Sequence, residues 1–185
     1  DFRSINNIYG DTLYEPKAVL PEIEACRRLP GTDGSTKMSK SFGNGIYLAD
    51  DSETVKKKVM SMYTDPNHIK VEDKGDTKNN PVFKYLEAFC TDKHFEKYLK
   101  EYKNLDELKA HYERGGLGDV KIKKFLYEIL EDTLTPIREK RKYYEENIDL
   151  VYDMLEEGSK KARLKASEVL NRVRKAIGIN YFDMR

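Results

Sequence analysis

A chain of 185 residues holds one domain, or one domain and part of another, and with 38% hydrophobic against 36% charged residues it can build a core under a very polar surface. The abundance of Lys, Glu and Leu suits amphipathic helices better than a β-sandwich, and a formal net charge of +1 names no partner by itself. Cys26 and Cys90 lack metal-ligand spacing and read as reduced thiols; no metal site, membrane span or signal peptide is legible.

Residues up to Tyr9 read as the end of a helix, with Gly10 as its stop. Two short apolar runs, 17–20 and 26–29, are bounded by Pro or Gly and are too short for helices, so they are expected to be buried or linking strands. Residues 30–36 (Pro-Gly-Thr-Asp-Gly-Ser-Thr) are turn formers and predict a loop. Asp50 and Glu53 have capping-box spacing at the entry to a helix ending near Tyr63. Residues 64–80 read as an irregular connection, and Pro81 opens a helix through Val82, Tyr85, Leu86 and Phe89. Shorter helices are expected over 92–103 and 105–114.

The clearest stripe is Ile122, Phe125, Leu126, Ile129, Leu130, Leu134 and Ile137, stepping by three and four, with Pro136 expected to kink or restart the helix. A further stripe, Ile148, Val151, Tyr152 and Leu155, is expected to close at Gly158. Another, from Ala162 to Ile177, closes at Gly178. Such stripes predict core packing. His68, His94 and His111 read as ordinary surface or helix-side residues.

One segment carries chemistry: Lys37-Met38-Ser39-Lys40-Ser41, then Phe42-Gly43-Asn44-Gly45. Two ammonium groups on a curled backbone can converge on a polyanion, and two hydroxyls and several backbone N–H groups can add donors to phosphate oxygens. Gly31 and Gly34 before the segment, and Gly43 and Gly45 after it, suit a loop that moves and approaches a ligand closely. Basic clusters occur at Arg138, Lys140, Arg141 and Lys142, and between Lys160 and Lys175, where they read either as a solvated helix face or as a surface for nucleic-acid phosphates.

The pentapeptide matches the KMSKS signature of class I aminoacyl-tRNA synthetases. Its surroundings resemble the tryptophanyl-tRNA synthetase family: Asn7-Ile8-Tyr9-Gly10, Leu29-Pro30-Gly31-Thr32-Asp33-Gly34, Lys58-Val59-Met60-Ser61-Met62-Tyr63-Thr64-Asp65-Pro66, Gly116-Leu117-Gly118-Asp119-Val120-Lys121 and Pro136-Ile137-Arg138-Glu139-Lys140-Arg141. The resemblance implies a mainly α architecture. Residues 1–50 would be the tail of a Rossmann-like α/β catalytic domain, and 51–185 a helical bundle of the anticodon-binding type. It implies Lys37 and Lys40 as catalytic cations, and Arg28, Lys37, Met38, Ser39, Lys40 and Ser41 as ATP contacts. It also implies tRNA contact in the region of the basic clusters, which offer Arg138, Arg141, Lys161, Lys165 and Arg172 as the contacts. Its further expectations are ATP as substrate with Mg2+, no prosthetic group, tRNA(Trp) and tryptophan as partners, a homodimeric parent enzyme with this portion monomeric, and a cytoplasmic location away from any membrane. The family's other nucleotide signature and its tryptophan pocket lie upstream of anything present here, so the chain is expected to be a C-terminal portion that does not activate tryptophan by itself. Two further readings are an RNA-binding helical module and a phosphate-binding adaptor built around the Lys37 loop.

Overall fold

The computed structural model describes residues 2–35 and 37–181, and they are mainly helical. The helices are α1 (Phe2–Tyr9), α2 (Ser52–Met60), α3 (Pro81–Phe89), α4 (Asp92–Tyr98), α5 (Leu105–Arg114), α6 (Asp119–Glu146) and α7 (Ile148–Ile177), with a 3-10 turn at Glu24–Cys26. Two compact units form: Leu20–Arg141, and a second drawn from both ends of the chain, up to Val19 and from Lys142. Among the described residues no helix is long and apolar enough to cross a membrane.

Within Leu20–Arg141, short helices are set by side chains that satisfy their free backbone N–H groups. Asp51, one residue after the expected cap, accepts from the Thr54 N–H at 2.7 Å. Asp50 is used elsewhere. Asn80 accepts from Val82 N–H at 3.0 Å, with Pro81 in the first helical position, where its missing donor costs nothing. Asn104 accepts from Glu107 N–H at 3.0 Å. His94 lies half-buried in a capping box, its Nδ1 accepting from the Thr91 N–H at 2.9 Å.

The core is built on the α6 stripe: Ile122, Phe125, Leu126, Ile129, Leu130 and Leu134 are all buried. Val55 and Val59 of α2, Val82, Phe83, Tyr85 and Leu86 of α3, Phe95 of α4, and Leu108 and Tyr112 of α5 complete it. Phe95 meets Phe125 at 4.8 Å between centroids, and Phe83 meets Tyr112 at 4.9 Å, both tilted as ring quadrupoles prefer. Lys123 is also buried, and its ammonium donates to the carbonyls of Met60 (3.2 Å) and Met62 (2.7 Å). A cation thus closes the C-terminal end of α2, where unpaired carbonyls carry partial negative charge.

Several expectations are corrected. The runs 17–20 and 26–29 form no strands. Val19 and Leu20 are exposed, the 3-10 turn reaches Cys26, and among the described residues there is no strand at all. A strand needs a neighbour to pair with, and among the described residues no other strand offers one. Of the two outcomes expected at Pro136, a restart does not occur, since α6 runs unbroken from Asp119 to Glu146 with the proline inside it. Gly158 does not end α7. Lys160–Glu156 and Lys161–Glu157 ion pairs, at 2.5 and 2.6 Å, span it on both sides. Such i,i+4 pairs contribute about 0.2–0.5 kcal/mol each, which together offset part of the roughly 1 kcal/mol that glycine costs in a helix interior. The helix stops instead at Gly178, whose φ of +75° suits glycine and turns the chain so that Ile179 N–H reaches Arg174 O at 3.0 Å. The α7 stripe expected to be core is not, for α7 has no buried residue. His68, expected on the surface, is buried. Its Nδ1 lies 3.1 Å from Asp119 Oδ1, and its ring is 4.6 Å from Tyr112.

In the second unit, Asn6 of α1 organises the turn that follows it. Its Oδ1 accepts from the Thr12 and Leu13 N–H groups (3.1 and 2.8 Å), and its Nδ2 donates to Leu13 O at 2.7 Å. Arg172 of α7 donates from Nε to Thr12 O and sits 4.8 Å above the Tyr14 ring.

Candidate active site

The signature segment lies in Leu20–Arg141, in an irregular stretch anchored by the helices beside it. At its start, the α3 residue Tyr85 places its hydroxyl 3.0 Å from Pro30 O and 3.3 Å from Met38 Sδ. Burial, and then the charge of Asp33, pushes this phenol up to about 12, so it stays a donor at physiological pH. At the far end, Lys58 of α2 donates to Gly45 O at 2.9 Å, pairs with Asp50 at 2.5 Å, and lies 4.4 Å over the Tyr47 ring. Between these anchors Tyr63 N–H donates to Thr32 O and Thr32 N–H to Asn44 O, each at 2.8 Å. At Gly34 the φ is +83°, and an added Cβ would strike the Tyr63 ring, so the turn requires glycine.

Asn44 sits under the loop, 3% exposed. Its Nδ2 faces both Asp33 carboxylate oxygens (3.0 and 3.2 Å), Ser35 Oγ (2.8 Å) and Lys37 O (3.1 Å), while its Oδ1 accepts from Ser39 N–H at 2.7 Å. Hydrogen bonds from the side chain and backbone of Ser35, and then from Asn44, hold the exposed Asp33 carboxyl below its ordinary value against the opposing desolvation. Asp33 is therefore a fixed acceptor for the amide. Ser39 and Ser41 share a hydroxyl–hydroxyl bond of 2.8 Å.

The expected site residues separate into groups. Lys37 and Lys40 are exposed, and among the described residues neither ammonium makes a hydrogen bond or ion pair. Met38 and Ser39 are half-buried beneath them, and Ser41 is exposed. Arg28 is exposed, one residue before Leu29, which packs on the core. Two unengaged cations on a pinned backbone can accept a polyphosphate without first breaking protein contacts. Among the described residues no group of three His, Cys, Asp or Glu is arranged to hold a metal ion.

The expected tRNA residues are more occupied. Arg138 grips Glu131 in a two-pronged pair (3.2 and 2.5 Å) and donates to Asp50 O at 3.2 Å. Arg141 is exposed but engaged within the protein. Lys161 pairs with Glu157 at 2.6 Å and Lys165 with Glu168 at 2.8 Å, all at exposed positions. Arg172 is held by Thr12 and Tyr14.

Sequence reasoning missed Asn44, Asp33, Tyr85 and Lys58. Asn44 is flanked by glycines and has the composition of a flexible turn. Tyr85 lies on a core stripe, and only the rule that a buried phenol needs a hydrogen-bond partner could have pointed from it to the loop.

Residues 3–135 match the family model described as tRNA synthetases class I (W and Y). A tryptophan–tRNA ligase of Clostridium longisporum is 57% identical over 182 residues, covering 98% of this chain and 50% of the relative. That of Lactococcus lactis is 55% identical over 181 residues, covering 97% and 51%. The chain thus spans about half the length of the curated relatives it matches. Among solved structures, the Campylobacter jejuni tryptophanyl-tRNA synthetase complexed with ADP and tryptophan is 31% identical, with a TM-score of 0.68 over 95% of this chain and 50% of that one. The Mycoplasma pneumoniae tryptophanyl-tRNA synthetase, 23% identical, shares the fold at a TM-score of 0.73 over 99% of this chain and 54% of that one. With its signature loop intact and a family match over more than two-thirds of its length, the chain belongs to the class I tRNA synthetases of the W and Y family.

Proposed function

We propose that the protein to which these residues belong is a tryptophan–tRNA ligase, and that residues 37–41 form its ATP-phosphate loop. The observation that carries this reading is the pair of unengaged ammonium groups, Lys37 and Lys40, on a signature loop whose backbone is pinned from below. The 57% and 55% identity to tryptophan–tRNA ligases, over nearly all of this chain and about half of each relative, supports tryptophan rather than tyrosine as the amino acid. Residues 1–50 belong in this reading to the end of the Rossmann-like catalytic domain, and 51–185 to the helical anticodon-binding domain.

In the first half-reaction a tryptophan carboxylate oxygen bonds to the α-phosphorus of ATP, and the bond to the bridging oxygen breaks, releasing pyrophosphate. Negative charge grows on the leaving group, so cations placed there favour the transition state over the ground state. Lys40, with Lys37, takes that role; Met38, Ser39 and Ser41 shape the turn and add donors, and the Arg28 region approaches the nucleotide. Mg2+ belongs here as the escort of the ATP phosphates. The adenylate then passes its tryptophanyl group to tRNA(Trp), whose phosphates Arg138, Arg141, Lys161, Lys165 and Arg172 are the candidates to meet. The parent enzyme is read as a cytoplasmic homodimer.

Tryptophan-dependent ATP–pyrophosphate exchange by the full-length protein tests the reading. Exchange is expected with tryptophan and not tyrosine, and to fall by about a hundredfold or more in Lys40→Ala, the scale of removing one charge-stabilising donor. Exchange supported by tyrosine instead, or unaltered in Lys40→Ala, would sink it. Residues 1–185 alone are expected to show no exchange.

A further inference from the structure

Met38 is the one apolar residue between the two signature lysines, and the backbone on both sides of it is held by a single side chain. Asn44 donates to the carbonyl of Lys37 before Met38 and accepts from the N–H of Ser39 after it. The same amide is clamped in turn by Asp33 and Ser35, which belong to the preceding turn, and the Asn44 backbone carbonyl accepts from Thr32. The residue is only 3% exposed, so water does not readily substitute for these partners. Hydrogen bonds to a buried amide are costly to leave unmade and resist small displacements of the backbone they hold.

We propose that Asn44 is a positioning residue for the transition state of adenylate formation. By bracketing Met38 it fixes the peptide units of Lys37 and Ser39, and so the point from which Lys37 and Lys40 reach the leaving pyrophosphate. This rests on the reading of residues 37–41 as the ATP-phosphate loop. Asp33 orients the amide: a carboxylate accepts only, so the Asn44 Nδ2 must face it and Oδ1 must face Ser39. The assignment of amide oxygen and nitrogen is thus dictated by its neighbours. Gly31 leaves the space the amide occupies, since an added Cβ there would collide with Asn44 Nδ2 and the Asp33 carboxylate.

A displacement of about 1 Å in a charge-stabilising group costs on the order of a hundredfold in rate. In the full-length enzyme, Asn44→Ala is therefore expected to lower kcat of tryptophan-dependent exchange by about a hundredfold. KM for ATP and tryptophan should shift by less than about threefold, because exposed lysines still provide ground-state attraction. Amide hydrogen exchange at Ser39 should accelerate. Asn44→Asp keeps the acceptor for Ser39 but sets a second carboxylate against Asp33. Its kcat should recover as the pH falls from about 8 to 5.5 and the pair takes up a shared proton, a profile absent from the wild type. Tyr85, the other titrating neighbour, remains protonated throughout that range. Asp33→Asn combined with Asn44→Asp restores an amide facing a carboxylate and should regain much of the missing kcat at neutral pH.

Lys40→Ala, assayed alongside, separates the two ideas. If it loses activity while Asn44→Ala keeps wild-type kcat, the positioning role is overturned and the loop reading stands. If both keep wild-type kcat, the loop reading falls and takes the positioning role with it. A kcat per folded molecule that is unchanged in Asn44→Ala while Tm drops also overturns the proposal, leaving Asn44 a fold-stabilising residue only.

Discussion

The Tyr85 hydroxyl lies 3.3 Å from the Met38 sulfur and 3.0 Å from the Pro30 carbonyl, so one core phenol touches the signature segment and the turn that precedes it. A hydroxyl has one hydrogen, and its two acceptors compete for it, the carbonyl being the stronger. Tyr85→Phe keeps the ring among its core neighbours and removes only this tie. It is expected to lower stability by about 1 kcal/mol, the net value of a typical hydrogen bond, and to raise protease cleavage within residues 30–45. Urea denaturation and limited proteolysis read the two effects. A drop in stability with no change in loop cleavage would mean that the hydroxyl serves the core alone.

Glu87 on α3 links two lysines, Lys84 at 3.3 Å and Lys109 of α5 at 2.7 Å. Desolvation pushes its carboxyl up, but the Lys109 hydrogen bond and charge, followed by those of Lys84, outweigh it and leave the value below ordinary. A carboxyl depressed in the folded state contributes stability that is complete above its unfolded value, near 4.5, and is lost as pH falls through the lower folded value. Glu87→Gln is therefore expected to cost up to about 1 kcal/mol at pH 7, since the pair is only partly buried, and nothing once acid has protonated the wild-type side chain. Thermal unfolding of both proteins from neutral to acid pH should show their Tm values converging below pH 4.5. A constant gap would assign the effect to packing instead.

Much of the helical core was legible because α6 and α3 bury one face each, and burial writes a period of 3.6 into the sequence. The failures have different physical origins. Gly158 carries a local penalty that flanking ion pairs partly offset, and the stop at Gly178 shows what differs there: a positive φ and a chain that turns back on its own carbonyls. The runs at 17–20 and 26–29 are short apolar stretches of strand length, but strand formation depends on a neighbour that local sequence does not specify. At the signature, the exposed lysines were legible by type and spacing. The buried amide of Asn44 was not, because its partners at positions 33, 35, 37 and 39 have meaning only once the chain is folded around it. His68 escaped for a similar reason: its burial depends on Asp119 and Tyr112, far along the chain.

The two cysteines differ in environment. Cys26 is exposed, while burial, and then the charge of Asp92, pushes the Cys90 thiol up to about 12. The thiolate is the reactive form, so iodoacetamide at pH 8 is expected to label Cys26 at least tenfold faster than Cys90. Peptide mass spectrometry over a time course measures both. Equal rates would mean that the C-terminal end of α3 opens readily in solution.

The basic residues of α7 divide by what already holds them. Lys161 and Lys165 are exposed, and their ion pairs with Glu157 and Glu168 are of the surface kind, worth at most about 1 kcal/mol, so on the proposed reading tRNA phosphates would displace them. Arg172 is held by the Thr12 carbonyl and the Tyr14 ring, and a planar guanidinium used in this way is not replaced by lysine. In the full-length protein, Lys161→Ala with Lys165→Ala is expected to weaken tRNA(Trp) binding and to reduce the steepness of its salt dependence by about one for each phosphate no longer neutralised, leaving tryptophan-dependent exchange unchanged. Glu157→Gln should have the opposite effect on affinity, by releasing Lys161. Arg172→Lys should instead increase proteolysis before Val19, because the stack on Tyr14 goes with the guanidinium, while the salt slope stays as it was. Filter binding between low and moderate salt separates the cases. An unaltered slope in the double lysine variant would remove this part of α7 from the proposed tRNA surface, whereas a shallower slope in Arg172→Ala would show that the arginine leaves Thr12 to meet the nucleic acid.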